Sequence, residues 1–458
     1  MERNTTTISR EDIARQMGHC HAVAQINAQR PQPPLAFVDT YGCQQNEADS
    51  ERIRGYLQEM GYGFTQDEEQ ADVIVINTCA VTGEAESKTR KAVRHALGLP
   101  REPIVVVTGC VVNLHPNELT DLSPRVIAQP SKIDVARTAA DAAGLPARTV
   151  NLDEGHDLAD LLGRSRLGVK VQDGCNNRCS YCIVWKARGP ERSVPVASVL
   201  EQVRRAERAG IPEVVLTGVN LGAYDGIDAS DSHVEIDELL DIILEQTNIP
   251  QVRLSSLEPM DVHDRLIDAM VAGGERVAPF LHLPLQSGCT ATLERMNRPY
   301  TAEQYEAMVD RIRTKLPNAA ISCDIIAGFP GETDGEFAES RALCERVGFS
   351  RMHVFRYSAR PGTPAATAPG QVAPEVMAAR SSELRHVAES TSQADARARI
   401  GACETAVLEF GNRGTLGSFH RVIVDDAGTD RTGQLVRVKI TGMDDRGLLH
   451  ACMGESDL

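Results

Sequence analysis

Leu167-Gly-Val-Lys-Val-Gln-Asp-Gly-Cys175-Asn-Asn-Arg-Cys179-Ser-Tyr-Cys182 joins a strand-like apolar run to a loop of three closely spaced cysteines. A short apolar run bounded by turn residues reads as a buried strand. Three thiolates in CxxxCxxC spacing can ligate three corners of a [4Fe–4S] cube and leave one iron without a protein ligand. An open iron can chelate a small molecule and pass it an electron. Zinc is the alternative for clustered cysteines, but a structural zinc takes four ligands. No fourth Cys or His lies close by in sequence.

Downstream of this loop, apolar runs recur at Glu213–Gly218, Gln251–Ser256, Phe280–Gln286, Ile321–Gly328 and Met352–Ser358, with helical stretches between them. With Leu167–Val171 they make six strands alternating with helices, the pattern of an open (β/α)6 partial barrel. Chemistry in such barrels sits on the loops at the strand C-terminal ends. Polar residues fall there: Asn220 after Thr217-Gly218, Ser256 beside Ser255, and Gln286 before Ser287-Gly288. Asp324 lies within the fifth run, ahead of Gly328-Phe-Pro-Gly-Glu332. Glycines at such tips permit close backbone approach, while turn chemistry alone is the plainer reading of any single tip.

Upstream, three stretches share one grammar. Leu35-Ala-Phe-Val-Asp-Thr-Tyr-Gly-Cys43, Asp72-Val-Ile-Val-Ile-Asn-Thr-Cys79 and Pro103-Ile-Val-Val-Val-Thr-Gly-Cys110 are each an apolar run ending in a cysteine. The segments between them, Glu47 to Met60 and Glu84 to Leu97, carry helical patterns. Strand–helix–strand repetition implies βαβ units and a parallel sheet, whose carboxyl strand ends share one edge. Cysteines dispersed over 67 residues (110 minus 43) would converge there. A single strand-end cysteine is most often a small buried hydrophobe, whereas three equivalent ones repeat the arithmetic of three ligands and one open iron.

The 458 residues are too many for one core and imply several domains. Hydrophobic content of 42% with 24% charged residues is ordinary for a soluble globular protein. No run reaches the ~18 apolar residues of a membrane span, and no secretory start is visible. Twelve cysteines then favour metal or redox chemistry in a cytoplasmic protein over a disulfide framework. Of these, Cys20, Cys289, Cys323, Cys344, Cys403 and Cys452 have no ligand-like grouping and read as buried or incidental. The net charge of −16 is awkward for a nucleic-acid partner, since phosphate contacts need Lys and Arg. Basic residues nevertheless gather after Cys79 (Lys88, Arg90, Lys91, Arg94) and after Cys182 (Lys186, Arg188, Arg192). Each cluster alone reads as a solvated face; beside the cysteine groups, both are candidate contacts for a polyanion.

Pro374 to about Ile400 reads as a helix. Short runs at Thr405–Phe410, Thr415–His420, Arg421–Val424, Gln434–Thr441 and Leu448–Met453 follow, implying a small β-barrel of OB type, a common RNA-binding architecture. Residues 401–458 hold 6 basic and 9 acidic side chains, so this is not a basic RNA-gripping face.

Tyr181, just before the third loop cysteine, makes that loop resemble the radical S-adenosylmethionine (SAM) superfamily. Over roughly residues 35 to 458 the chain resembles a radical SAM methylthiotransferase. The resemblance is carried by Tyr-Gly-Cys43-Gln-Gln-Asn, Asn-Thr-Cys79-Ala-Val-Thr, Thr-Gly-Cys110, the Cys175/Cys179/Cys182 loop, Leu-Pro-Leu-Gln286-Ser-Gly, Gly-Phe-Pro-Gly-Glu-Thr333 and Arg-Pro-Gly-Thr-Pro364. It departs from the family at Trp185, where proline is common; packing, or a stacking platform for a base, are the two readings of that ring. The resemblance implies a flexible extension at 1–34 and an α/β N-terminal parallel-sheet domain at 35–146 holding an auxiliary [4Fe–4S] cluster on Cys43, Cys79 and Cys110. It further implies a radical SAM core at 161–398 and a TRAM-like OB barrel at 399–458. SAM would chelate the open iron of the Cys175, Cys179 and Cys182 cluster and yield a 5′-deoxyadenosyl radical, with sulfur coming from the auxiliary cluster. Asn220, Ser256, Gln286 and Asp324 are candidates to hold SAM. No side chain is expected to serve as catalytic acid or base, because C2–H of adenine is not acidic enough for one.

Within the family, Asn77–Glu86, Leu216–Tyr224, Arg253–Pro259 and Met352–Tyr357 are most similar to the branch acting on N6-threonylcarbamoyladenosine at position 37 of tRNA. The Tyr-Gly-Cys43-Gln-x-Asn start is shared with the isopentenyladenosine branch. Expected partners are a tRNA anticodon stem-loop and a flavodoxin- or ferredoxin-like electron donor, with no membrane. Lys186, Arg188 and Arg192 are the candidate cations for the substrate's carboxylate. The alternatives are isopentenyladenosine as substrate, a protein methylthiotransferase, and a non-enzymatic iron–sulfur sensor or RNA-binding protein.

Overall fold

Val73–Thr78 and Ile104–Gly109 are buried along their whole length. Unbroken runs of β-branched residues of this kind suit the centre of a parallel sheet covered on both faces. The computed structural model describes residues 34–42, 44–132, 134–142, 165–428 and 431–454, so Cys43 and, but for Pro34, the expected extension at 1–34 lie outside the described residues. The chain divides into two compact units: Met1–Leu158 with Gly174–Asn176 and Cys182–Pro190, and Ala159–Asp173 with Asn177–Tyr181 and Glu191–Leu458.

In the first unit, strands β1 (Leu35–Thr40), β2 (Gly63–Phe64), β3 (Val73–Thr78), β4 (Ile104–Gly109) and β5 (Val126–Ala128) form one parallel sheet ordered β2-β1-β3-β4-β5. Strand alternation sorts the core. Val73, Val75, Ile104 and Val106 pack with Ile53 and Leu57 of helix Gln44–Glu59 and Ala136 and Ala139 of helix Val135–Ala142. Ile74, Ile76, Val105 and Val107 pack with Val93 and Ala96 of helix Gly83–Leu97. That helix starts where expected because Thr82 caps it, its side chain accepting from the Ala85 N–H. The β1, β3 and β4 runs and their intervening helices match the sequence expectation; β2 and β5, of two and three residues, were not expected.

In the second unit, β6 (Arg166–Lys170) continues into β7 (Gln172–Asp173), which pairs antiparallel with β8 (Arg192–Ser193). Then come β9 (Glu213–Thr217), the antiparallel pair β10 (Asp225–Ile227) and β11 (His233–Glu235), and β12 (Gln251–Leu254). β13 (Phe280–His282), β14 (Ala320–Ala327) and β15 (Arg351–Arg356) complete the row. β6, β9 and β12 are parallel, as are β13, β14 and β15, and the parallel bridges Val252–Val277 and Ser256–His282 join the two sets. The six strands expected for the partial barrel are therefore present in order. The expected run to Gln286 stops at His282, because Pro284 has no N–H for the ladder and Gln286 turns at φ 67°.

Helix Pro374–Ala398 leads into β16 (Cys403–Phe410), β17 (Arg413–Leu416), β18 (Arg421–Val424), β19 (Leu435–Met443) and β20 (Leu449–Met453). These close into a barrel ordered β16-β17-β18-β20-β19 around Ala406, Leu408, Val422, Val438 and Ile440. The run expected at Thr415–His420 shifts upstream, since Phe419 turns at φ 69°.

Arg253 of β12 ties this barrel to the strands. Its guanidinium reaches Glu213 Oε1 at 2.7 Å, the Gly417 carbonyl at 2.7 Å and the Leu416 carbonyl at 3.2 Å, and lies 4.9 Å from the Phe419 ring centroid. Both partners of the ion pair are almost fully buried. Arg253→Met strands a buried carboxylate, whose remaining cation is Arg166 at 3.0 Å, and two carbonyls. A loss of about 3 kcal/mol or more is expected in denaturant unfolding, typical of a buried pair broken on one side. A loss under ~1 kcal/mol, the scale of a surface pair, would exclude this role.

Candidate functional site

In the first unit, β3 and β4 run in register with Thr78 opposite Gly109, so Cys79 and Cys110 follow adjacent strands at the same level. Gly42, preceding Cys43, closes in from β1: a Cβ there would stand 2.7 Å from Cys79 Cβ and 2.9 Å from its Sγ. Gly109, at φ 97°, has the Thr78 carbonyl 2.4 Å from any Cβ, which leaves glycine as the residue that fits. The three strand ends thus meet as the parallel-sheet argument expects, with Cys43 itself outside the described residues. Cys79 and Cys110 are 5% and 6% exposed.

Beneath this edge lies a polar group absent from the sequence reading. Lys132 Nζ reaches Asn77 Oδ1 at 2.5 Å and Asp49 Oδ2 at 3.1 Å. Burial pushes its ammonium below the ordinary lysine value, although Asp49 and Cys110 act in the opposite sense. Arg188 joins the same group, donating to Asn46 Oδ1 at 2.6 Å with Asp49 at 3.6 Å, and its side chain is 7% exposed. Two cations near a set of thiolate donors are suited to an anionic centre. The candidate substrate cation Arg188 is thereby placed inside the first unit as a strut.

The cysteine loop divides between the units. Cys175 and Cys182 group with the first, and Cys179 with the second. Gly174, at φ 77°, leaves no room for a Cβ beside the Pro190 carbonyl, and Cys175 N–H donates to the Gly189 carbonyl at 3.1 Å. Val184 N–H donates to Cys182 Sγ at 3.4 Å, and Arg298 donates to Cys179 Sγ at 3.1 Å. N–H groups aimed at sulfur favour thiolate over thiol, so the donor set fits an iron–sulfur cluster. Helix Val184–Arg188 begins two residues after Cys182 and packs against helix Cys110–Leu114. Ala187 shares a core with Cys110 and Val111, and its carbonyl accepts from Asn113 Nδ2 at 2.8 Å. One short helix therefore connects the neighbourhoods of the two cysteine groups within the first unit.

In the second unit Asn220, Ser256 and Gln286 lie just beyond the ends of β9, β12 and β13, while Asp324 lies within β14. Leu221 N–H donates to the Ser256 carbonyl, Ser256 bridges to His282, and the Asp324 carbonyl accepts from Gln286 N–H at 2.8 Å. The Gln172 side chain accepts from the N–H groups of Val219 and Asn220, fixing that turn. Asn220 is 5% exposed, and its Oδ1 is buried without a hydrogen bond. Asp261 beside it has its carboxyl pushed up to about 6, first by burial and then by Glu258. His282 and His353 flank Asp324, which is in register with His353. The imidazole Nε2 of His282 is 3.5 Å from Asp324 Oδ1, while its Nδ1 pairs with Ser322 Oγ at 2.7 Å. Burial holds His353 below the ordinary histidine value, against the pull of Asp324. Neither histidine was singled out from the sequence; His282 is in register with Ser322 and His353 with Asp324, two residues further along β14, so the two flank one carboxylate only through pairing across three strands.

Lys186 stacks over the Trp185 ring at 5.1 Å, and Trp185 is half-buried. Arg192 is exposed and donates to Asp173 Oδ2 at 2.7 Å. Lys88 pairs with Glu84 and Arg90 with Glu118 on an accessible face. Cys289, Cys323 and Cys344 are buried as expected, Cys452 is half-buried and Cys403 is exposed; Cys20 lies outside the described residues.

Residues 36–128 match the uncharacterized protein family UPF0004, and residues 169–344 match the Radical SAM superfamily. The chain is 34% identical to a tRNA-2-methylthio-N(6)-dimethylallyladenosine synthase of Chlorobium limicola, over 89% of this chain and 95% of that protein. It is 33% identical to the threonylcarbamoyladenosine tRNA methylthiotransferase MtaB of Thermotoga maritima, over 90% and 95%. The solved radical S-adenosylmethionine methyltransferase TsrM of Kitasatospora setae superposes with a TM-score of 0.53 at 14% identity, covering 73% of this chain and 77% of that one, which is a likeness of fold. No helix among the described residues is long and apolar enough to cross a membrane. On these matches the chain belongs to the radical SAM methylthiotransferase family, whose cofactors are S-adenosylmethionine and [4Fe–4S] clusters.

Proposed function

We propose that this chain is a tRNA-modifying enzyme that methylthiolates C2 of N6-threonylcarbamoyladenosine at position 37, giving the 2-methylthio derivative. Cys175, Cys179 and Cys182 hold the cluster that binds S-adenosylmethionine, and Cys43, Cys79 and Cys110 hold the auxiliary cluster. When bound, these groups supply one-electron chemistry able to break an unactivated C–H bond and deliver sulfur. The chain's own residues position and dehydrate the reactants. The observation that carries the reaction class is helix Val184–Arg188, packed beside Cys110 and following directly on Cys182. Asn220, Ser256 and Gln286 orient S-adenosylmethionine from the strand tips, and Asp324 does so from within β14. Residues 35–146, 161–398 and 399–458 form the auxiliary-cluster, radical and TRAM-like parts. A flavodoxin- or ferredoxin-like donor supplies electrons in the cytoplasm.

The polar strand ends support the threonylcarbamoyl substrate. His282, Ser322, Asp324 and His353 are half-buried or buried polar side chains grouped on β13, β14 and β15. A dimethylallyl group placed against them would take them out of water and offer no further partner, whereas a carboxylate- and hydroxyl-bearing group can add hydrogen bonds to them. Lys186 and Arg192 are the cations we assign to the carboxylate; Arg188, spent on Asn46 and Asp49, supports them from within. The second reading, a dimethylallyl (isopentenyl) substrate, is favoured by relatives named for it and by the Tyr-Gly-Cys43-Gln start. Mass spectrometry of tRNA nucleosides from a deletion strain separates them. Loss of the 2-methylthio threonylcarbamoyl nucleoside is the expected result. Loss of the 2-methylthio isopentenyl nucleoside alone would establish the second reading, and an unchanged profile would point to a protein substrate.

A further inference from the structure

Arg298 stands out among the buried cations because one of its N–H groups is aimed at sulfur. Its side chain is 1% exposed, and Nη1 lies 3.1 Å from Cys179 Sγ. The other guanidinium nitrogens have partners too. Glu258 accepts from Nη1 at 3.3 Å and pairs closely with Nη2, and Nε donates to Tyr300 Oη at 3.0 Å. Tyr300 in turn donates to the Pro284 and Leu285 carbonyls, each at 3.0 Å. Nothing about this arrangement is left to side-chain freedom.

The backbone is clasped as firmly. Ser180 N–H donates to the Met296 carbonyl at 2.9 Å, and Ser180 Oγ donates to the Arg295 carbonyl at 2.8 Å. Asn297, turned at φ 58°, donates from its side chain to the Arg178 carbonyl at 2.9 Å. Ala365 N–H holds the Ser180 carbonyl from another direction at 2.9 Å. The turn Met296–Arg298 thus fixes the middle of the cysteine loop on both sides of Cys179 and presents Arg298 to that sulfur.

We infer that Arg298 is a positioning residue that raises the reduction potential of the cluster on Cys175, Cys179 and Cys182 by donating a hydrogen bond to the Cys179 sulfur. The inference rests on the cluster assignment above. Reduction adds one electron to the cluster, part of whose charge falls on its sulfurs, so an N–H donor stabilises the reduced state more than the oxidised one. In a buried site the bond is stronger than in water. Glu258 offsets the guanidinium charge at longer range, leaving the directed N–H···S contact as the dominant effect and making the two residues opposed controls.

The test is an EPR-monitored redox titration of the full-length, anaerobically purified protein with viologen mediators and dithionite as reductant. Arg298→Met removes the donor and leaves the carboxylate; electron uptake should become less favourable by on the order of tenfold, a shift of ~59 mV to lower potential. Glu258→Gln keeps the donor and removes the counter-charge, so the potential should move the other way. Arg298→Lys, which retains a donor, should recover part of the loss. Unmoved potentials in both variants, or shifts in the same direction, would leave Arg298 a purely structural residue and overturn the inference. If Arg298→Met does not load a cluster, Glu258→Gln and Arg298→Lys decide by the same signs. Absence of any reducible cluster on this loop in the wild-type chain would instead overturn the cluster assignment itself.

Discussion

Cys179→Ala is expected to abolish reductive cleavage of S-adenosylmethionine while the auxiliary cluster remains. Cys179 is 6% exposed and is held by a loop whose backbone is anchored at Ser180 from two directions. Removing its sulfur takes away one of three ligands, and two thiolates leave a second iron exposed and the cube labile. The loss is also electrostatic: Arg298 would face an apolar methyl group with its N–H unmatched. Cys79 and Cys110 keep their own positions at the ends of β3 and β4, so iron should fall from about eight to about four per chain instead of to zero. Iron and sulfide counting with chromatography of 5′-deoxyadenosine checks both halves. Formation of 5′-deoxyadenosine at the wild-type rate would show that this loop does not hold the reducing cluster.

What was legible in the sequence follows local rules. The six barrel strands, the three cysteine-tipped strands and the five-stranded closing barrel are apolar runs separated by turn residues, and each carries its own signal. Pro284 could have warned that the β13 run would stop short. The missing parts depend on distance. Arg298 and Cys179 are 119 positions apart, and Lys132 and Asn77 are 55 apart, so no window of sequence contains either contact. Arg188 was read as an outward cation because a basic residue near a cysteine loop has no local mark of burial; helix Val184–Arg188 turns it toward Asn46. The packing of that helix on helix Cys110–Leu114, which groups Cys175 and Cys182 with the first unit, is likewise a tertiary contact that no local run of sequence marks.

Cys79→Ala is the complementary case, and its expected outcome is uncoupling. The variant should still cleave S-adenosylmethionine but transfer no sulfur. Cys79 sits just beyond β3, where Gly42 approaches within contact and Thr78 is locked by its hydroxyl's bond to the Thr108 carbonyl at 2.6 Å. The backbone there is fixed by the parallel ladder, so alanine should preserve the fold at the cost of a small buried thiol, about 1 kcal/mol. The other cysteine loop keeps its own anchors at Gly189, Met296 and Arg298. Iron should again drop to about four per chain, but now with 5′-deoxyadenosine formation retained. Because the intact sheet still positions helix Val184–Arg188, substrate binding should change little, and the defect should lie in turnover instead of affinity. Single-turnover assays with tRNA and mass spectrometry of the nucleosides give the readout. A 2-methylthio product from this variant would remove Cys79 from sulfur transfer, and loss of S-adenosylmethionine cleavage as well would mean that the two centres assemble as one.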